Sequence, residues 1–568
     1  MRALARSQGR WRIAALSAGI AGILIANMIA QVQLNRWNGA FFDTLSQRDL
    51  PAFMALIGWF FVLMAVLLSL VVAQTLAQEL LKIALRQSLT MHLADLWLTR
   101  ARPYRLVFAG AIGSNPDQRV QEDSRKLAEL TAELAAGFTQ QLFLLTTFVG
   151  VLWALSSALT FYIGGREIQI PGYMVWCALI YAGAGSLLAF IVGRPLILLN
   201  AERSQKEAEL RFALVRLTES AESIGFLRGE ADERIALNTP ILAVMSVLTG
   251  IAFKLARLTW VVSGYGWLSL IVPVIVAAPG YFAGAVTFGG LMRLVDAFSQ
   301  VQASLRWIVD NVAKFADWRA ALYRVMRFEE ELRLSPAGDA VSGGIALSIG
   351  APGELKLDSV AICLPNGTPV ISAIDMVVHR GERVELAGLA GVGKSTLLRA
   401  IAGLWPWGQG TITLPPDSSL MFLPARPYLP LGTLRDAVCY PSAAETFDND
   451  SVVAAMTRCG LAGWIAQLDT SARWDRDLSI GEQQRLTFAR LLLHRPSLAI
   501  LDEATSALDQ PGQADLLALF AGELVDMTVL FISHRSGYAM LAPRVIGLSA
   551  GALGSVISTD GTPLMGKA

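Results

Sequence analysis

Charge is what this chain has least of. Asp, Glu, Lys and Arg make up 16% of its 568 residues, against about 25% in a soluble domain. The charges present nearly cancel, leaving a net +1, which gives no support for nucleic-acid binding through bulk charge. Cysteine and histidine are also rare, four of each. Cys177, Cys363, Cys439 and Cys459 are scattered with no metal spacing between any pair, so they read as buried reduced thiols. No internal repeat and no low-complexity tract is visible. A cleavable leader is not indicated. The basic start "MRALARSQGRWR" precedes an apolar run longer than the roughly 7–15-residue core of a secretory signal, which predicts an uncleaved first membrane span.

What takes the place of charge is apolar residue: 54% of the chain, with a mean hydropathy of +0.49. The distribution is uneven. A membrane helix needs about 20 mostly apolar residues. Charge-poor windows predict six spans, near 13–35, 50–78, 134–162, 168–193, 258–278 and 282–308, with a turn at Pro279 and the glycines of "APGYFAGAVTFGG" separating the last two. Lys and Arg concentrate in the N-terminal tail and in the connections 79–133 and 194–257. The 36–49, 166–167 and 279–281 connections have few or none. That alternation predicts both termini and the C-terminal domain in the cytoplasm. The two basic connections read as helices continuing from the membrane.

Residues 1–334 therefore form an expected membrane domain and 335–346 a Gly-, Pro- and Ser-rich linker. From 347 to 568 strands and helices alternate, as in an α/β domain.

"RVELAGLAGVGKSTLLRAIAGL" is a strand, a glycine loop and a helix with the spacing G-x4-G-K-S at Gly388, Gly393, Lys394 and Ser395. Glycines let backbone N–H groups close on phosphate, Lys394 reaches the terminal phosphates and Ser395 the magnesium. The helix N-terminus favours the same anion. "LAILDEATSALD" is an apolar strand ending in Asp502 and Glu503, suited to hold magnesium through water and to polarise an attacking water. "LSIGEQQRLTFAR" opens a second anion-favouring helix at Ser479 and Gly481. One nucleotide does not need two such ends, which predicts a dimer. "FISHR" places His534 at the end of another β-like run.

These elements, in this order over roughly 350–550, resemble the ATP-binding cassette of ABC transporters. With "SNPDQRVQED", "ESAESIGFLRGE", "YFAGAVTFGGLMRLVDAFSQVQASLRWIVDN" and "GLWPWGQG", the chain resembles the fused permease–ATPase half-transporters of the SbmA/BacA-like group and the related adrenoleukodystrophy-type group. The resemblance implies a homodimer with the six-span exporter-type fold followed by an α/β P-loop cassette, running on ATP and Mg2+. It makes Gly388, Leu389, Ala390, Gly391, Val392, Gly393, Lys394, Ser395 and Thr396 the phosphate loop. Ser479, Gly481 and Glu482 become the signature facing the partner's ATP. Ser395 and Asp502 become the metal residues, and Glu503, His534 and Lys394 the catalytic set. Asp509 ends the loop by which the two sites sense each other.

Three departures stand out. Ala425 occupies the glutamine position of the usual "LPQRPYLP", so an amide that contacts magnesium is missing. Ile480 and Glu482 replace the commonest Gly and Gln. "AICLPNGTPV" has no aromatic residue to stack on adenine, leaving Leu364 or Pro365.

The resemblance also implies that the tips of the two cytoplasmic connections couple the domains, with Asp117, Arg119, Glu122, Glu222 and Gly229 as candidates. Arg293, Asp296 and Gln300 share the sixth span, and ionisable groups at membrane depth face water or a partner. They predict a hydrated cavity suited to hydrophilic cargo. The expected activity is ATP-driven uptake of peptides, including antimicrobial ones, or of corrinoids such as cobalamin, across a bacterial inner membrane. Export of lipid or fatty acyl-CoA is the alternative from the peroxisomal relatives. A low-turnover nucleotide-gated sensor or channel is the alternative that Ala425 raises.

Overall fold

The computed structural model describes residues 9–99, 101–108, 115–156, 160–163, 166–282, 284–334, 344–416, 419–532, 538, 541, 543–551 and 554–558. The chain divides into two compact units. One comprises 1–94 and 117–326, the other 95–116 and 327–568. The division departs from the expected boundary at 334, because an excursion from the membrane helices belongs with the C-terminal domain.

The first unit is built of long helices. Five of them, Arg10–Gln47, Leu50–Trp97, Pro116–Ser156, Tyr173–Glu219 and Glu230–Phe282, are long and apolar enough to cross a membrane. Each runs well past the roughly 20 residues a bilayer requires, as the helical connections predict. The sixth expected span is Phe288–Asp310, 23 residues long. At 1.5 Å per residue it can cross a bilayer. Arg293, Asp296, Arg306 and Asp310 lower its apolar content, yet Leu294, Ala297, Phe298 and Val301 are wholly buried on it. They pack with Phe148, Leu152, Met174 and Ala277 from three other helices.

Two boundaries differ from the sequence reading. Pro279 does not end a helix. It lies inside Glu230–Phe282, and the reversal falls at 284–287, with Gly284 at φ +73°. A proline near a helix end removes one hydrogen bond and can be accommodated there. Between Ser156 and Tyr173 the chain forms an antiparallel hairpin, Thr160–Ile163 with Arg166–Gln169. The helix before it therefore stops short of the span expected to reach 162.

The second unit is organised by a ten-stranded sheet. Its parallel core runs Leu420–Leu423, Leu498–Asp502, Thr528–Ile532, Arg383–Gly388, Arg544–Gly551. The central strands Leu498–Asp502 and Thr528–Ile532 are continuously buried apart from Asp502, as strands covered on both faces must be. Ligands of such sheets gather at the carboxyl ends of the strands, where Gly388 and Asp502 lie. Gly554–Ser558, Pro369–Val378, Leu355–Cys363, Gly408–Leu414 and Ala346–Ile349 extend the sheet beyond Arg544–Gly551. Cys439 and Cys459 are buried, Cys177 and Cys363 half-buried, and all four are free thiols.

Candidate nucleotide site

The phosphate loop leaves the strand Arg383–Gly388 with three glycines at positive φ: Gly388 at +155°, Gly391 at +85° and Gly393 at +95°. A side chain at Gly388 would meet the Leu548 carbonyl oxygen at 2.5 Å, and one at Gly393 would meet Val370 at 2.9 Å. Glycine is therefore required there on both conformational and steric grounds. Helix Lys394–Ile401 follows directly. Lys394 is buried, and its ammonium donates to the carbonyl oxygens of Gly388 and of Leu389, the latter at 3.1 Å. Burial lowers the pKa of its amine, while Asp502 and Glu503 pull the other way.

Ser395 and Asp502 line one cavity of about 620 Å³, together with Leu398, Phe422 and Pro424. A hydroxyl and a carboxylate on one wall form a hard-oxygen pair of the kind magnesium takes. Glu503, immediately after the strand, sits at φ +52°, and its N–H donates to Ile532 O at 3.2 Å. Asp502 and Glu503 are thus presented from the end of Leu498–Asp502 and Ser395 from the first turn of Lys394–Ile401.

Ser479 caps the helix Ile480–His494. Glu482 closes the capping box, accepting from Ser479 N at 2.9 Å and from Ser479 Oγ at 2.7 Å. Trp464 Nε1 also donates to it at 2.8 Å. Burial alone would raise the Glu482 pKa; the Ser479 and Trp464 donors outweigh it and hold the carboxyl below its usual range. Gly481 lies close to the Ala507 carbonyl: a Cβ there would stand 3.3 Å away. Asp509 caps Gln510–Leu517 by accepting from Gly512 N at 3.2 Å. Leu364, a candidate adenine contact, is half-exposed at a tight turn closed by its N–H to Thr368 O at 2.7 Å. His534 lies outside the described residues.

The membrane-side candidates separate. Arg119 pairs with Asp123 at 2.7 Å and Glu122 with Lys126 at 2.7 Å, both along their own helix. Asp117 lies in the first turn of the short helix Pro116–Gln118. Glu222 lies in the first turn of Ala221–Leu227, and Gly229 closes its end by donating to Ile224 O at 3.1 Å. Phe226 and Leu227, next to these candidates, are 80% and 82% exposed. Asp296 accepts from Asn35 Nδ2 at 2.6 Å. The same amide donates to the backbone carbonyl of Arg293 at 3.2 Å. Gln300 is half-buried.

Residues 4–282 match the ABC transporter transmembrane region 2, and 371–506 match the ABC transporter family. An uncharacterised ABC transporter ATP-binding protein of Synechocystis is 32% identical over 512 residues, 87% of this chain and 74% of that one. The chain belongs to the ABC transporters. Within them it is a half-transporter, membrane and ATP-binding parts fused in one polypeptide. Its cassette makes it an ATPase coupled to transport, and a half-transporter implies dimerisation. The inner membrane ABC transporter ATP-binding protein YddA of Escherichia coli is 29% identical, over 94% of this chain and 93% of that one. The human lysosomal cobalamin transporter ABCD4 is 24% identical, over 90% and 87%. The structure of a bacterial Atm1-family ABC exporter with ATP bound has the same fold, with a TM-score of 0.71 at 18% identity over 96% and 94% of the two chains.

Reading the ABC transporter sequence alone overlooked the segment that packs on the cassette. Arg102–Leu106 is a short helix of the second unit. Arg105 Nη2 donates to Gly403 O at 2.8 Å, Tyr104 packs on the cassette core, and Phe108 meets Trp405 and Trp407 at 5.3 and 5.0 Å. The aromatic motif "GLWPWGQG" was the available signal, since two tryptophans near a surface turn need a partner. Gln484, Arg490 and Tyr538 likewise take partners, Ala425, Ala437 and Thr505, that only the fold brings within reach.

Proposed function

We propose that two copies of this chain form a bacterial inner-membrane pump that takes up a hydrophilic solute, either a peptide or a corrinoid. The observation that carries the cargo class is the polar seam of Asn35, Asp296 and Asp43 between the first and sixth membrane helices. Ionisable groups at membrane depth face the bundle interior or a water-filled path rather than lipid. The relative ABCD4, a lysosomal cobalamin transporter, supports a corrinoid, and YddA, an inner-membrane ABC transporter protein, supports the location. The basic 79–133 and 194–257 connections support a cytoplasmic cassette.

In this reading the glycine loop 388–396 cradles the phosphates and Lys394 pairs with their charge. Ser395 and Asp502 are the residues that would hold magnesium, which neutralises phosphate charge when bound. Glu503 orients the attacking water. The role proposed for His534 is contact with the terminal phosphate, and Ser479, Gly481 and Glu482 close the partner's nucleotide. Asp509 ends the loop that meets the partner. The packed segment Arg102–Phe108, with the exposed Phe226 and Leu227, carries cassette movement to the membrane helices; Asp117, Arg119, Glu122, Glu222 and Gly229 position these tips. Arg293, Asp296 and Gln300 border the cargo path.

The test is ATP hydrolysis by the purified dimer in lipid, with Glu503→Gln as the inactive control. Stimulation by a corrinoid or a peptide supports the reading. Stimulation by fatty acyl-CoA alone sinks it and favours lipid export.

A further inference from the structure

The loop that follows Glu503 is restrained by side chains that the catalytic reading does not use. Gln484, on the helix Ile480–His494, is completely buried. Its amide nitrogen donates to Ala425 O at 3.0 Å and to Ser506 Oγ at 3.2 Å. Its amide oxygen accepts from Ala507 N at 3.0 Å. One side chain therefore spans three segments: the 423–430 loop, its own helix and the 504–508 loop. Ser506 N in turn donates to Glu503 O at 3.0 Å. On the other side, buried Thr505 accepts from Gln513 Nε2 at 3.1 Å and bonds Tyr538 Oη at 3.1 Å.

These restraints converge on a strained residue. Glu503 has φ +52°, a region that non-glycine residues enter only when surrounding structure over-determines them. Its backbone is fixed at N by Ile532 O and at O by Ser506 N. Residue 425 has no polar side chain, so the link between the 423–430 loop and this strained turn runs through the Ala425 carbonyl and Gln484.

We infer that Gln484 is a positioning residue for hydrolysis: it ties the 423–430 loop to the turn that aims the Glu503 carboxylate. The inference rests on the reading of Glu503 as the residue that orients water. A shift of the 423–430 loop displaces Gln484, Gln484 displaces Ser506 and Ala507, and Glu503 loses its held conformation. The glycine loop 388–396, which cradles the phosphates of the chain's own ATP in that reading, takes no part in these contacts.

Gln484→Met keeps the length of the side chain and removes its hydrogen bonds. In the full-length dimer in lipid, the variant is expected to lose at least about tenfold in kcat, with KM for ATP within about twofold, and a lower melting temperature because the Ala507 N–H and Ala425 carbonyl lose their buried partner. A kcat within twofold of the native chain overturns the inference. So does a fall in kcat accompanied by a proportionate loss of ATP binding, which is the signature of a merely structural role. Should Gln484→Met fail to fold, Ser506→Ala decides, because it removes one Gln484 partner with little change of volume: about a threefold or greater fall in kcat at constant KM supports the link, and native kcat overturns it. Glu503→Gln is measured beside them. If it retains native turnover, the reading of Glu503 falls and takes this one with it. If it is inactive while Gln484→Met is native, only the role of Gln484 falls.

Discussion

Asn35 on the first membrane helix donates to Asp296 on the helix Phe288–Asp310 across 2.6 Å. Eight residues further along the first helix, Asp43 accepts from Gly289 N at 2.8 Å and from Thr287 Oγ1 at 3.1 Å. Between these two points the helices touch through Gly39 and Gly289, where an added Cβ on either would collide with the other helix. Small residues allow membrane helices to approach, and polar pairs then fix their register.

Asn35→Ala is expected to weaken that register. Interhelical hydrogen bonds in membranes average about 0.6 kcal/mol and reach about 1.7, so the Asn35–Asp296 coupling should fall in that range. A double-mutant cycle of Asn35→Ala and Asp296→Ala, read from melting of the dimer in detergent, measures it. Additive single effects would show that the pair contributes nothing of its own.

Arg105 and Phe108 predict a separation of hydrolysis from transport. Arg105 bonds Gly403 O and Phe108 is held against Trp405 and Trp407, while neither lines the cavity shared by Ser395 and Asp502. Arg105→Ala and Phe108→Ala should keep basal hydrolysis within about threefold and lose cargo stimulation. Full stimulation in both variants would place coupling elsewhere.

Ala425→Gln should change kcat by less than about threefold, since the contact made at 425 is through its backbone carbonyl. Glu503→Gln should lower kcat by about a hundredfold or more, the lower end of what a positioned acid–base group contributes. A nearly silent native chain that Ala425→Gln awakens would instead mark the 423–430 loop as a brake.

His494 gives the cassette a pH dependence. Burial holds its imidazole below the ordinary value of 6.5, with the nearby Arg490 charge adding to the effect against the opposing pull of the Cys439 carbonyl. The unfolded chain therefore takes up a proton first as pH falls below 6.5. The stability associated with neutral His494 is full above that pH and declines as pH drops toward the folded-state pKa. His494→Gln, which keeps a donor for Cys439 O, should flatten the melting temperature over about pH 7 to 5. An identical slope in the variant would assign the dependence to other groups.

The geometry of the candidate nucleotide site was legible in residue order where it is local. A glycine loop between a strand and a helix needs only adjacent residues, and Gly388, Gly391 and Gly393 adopt the conformations that their spacing implies. Asp502 ends an apolar strand for the same reason. The long apolar runs likewise determined five membrane helices, because crossing a bilayer is a matter of length and hydropathy. Other features join residues far apart in sequence, which periodicity does not relate. Gln484 meets Ala425 across 59 positions, Asn35 meets Asp296 across 261, and Arg105 meets Gly403 across 298. The sequence by itself determined which residues are candidates for phosphate and which segments can enter a membrane, since both follow from neighbouring side chains and their solvent. Only the tertiary structure decided which buried polar groups satisfy one another, because a buried amide or carboxylate takes its partners from whatever the packed fold brings within about 3 Å.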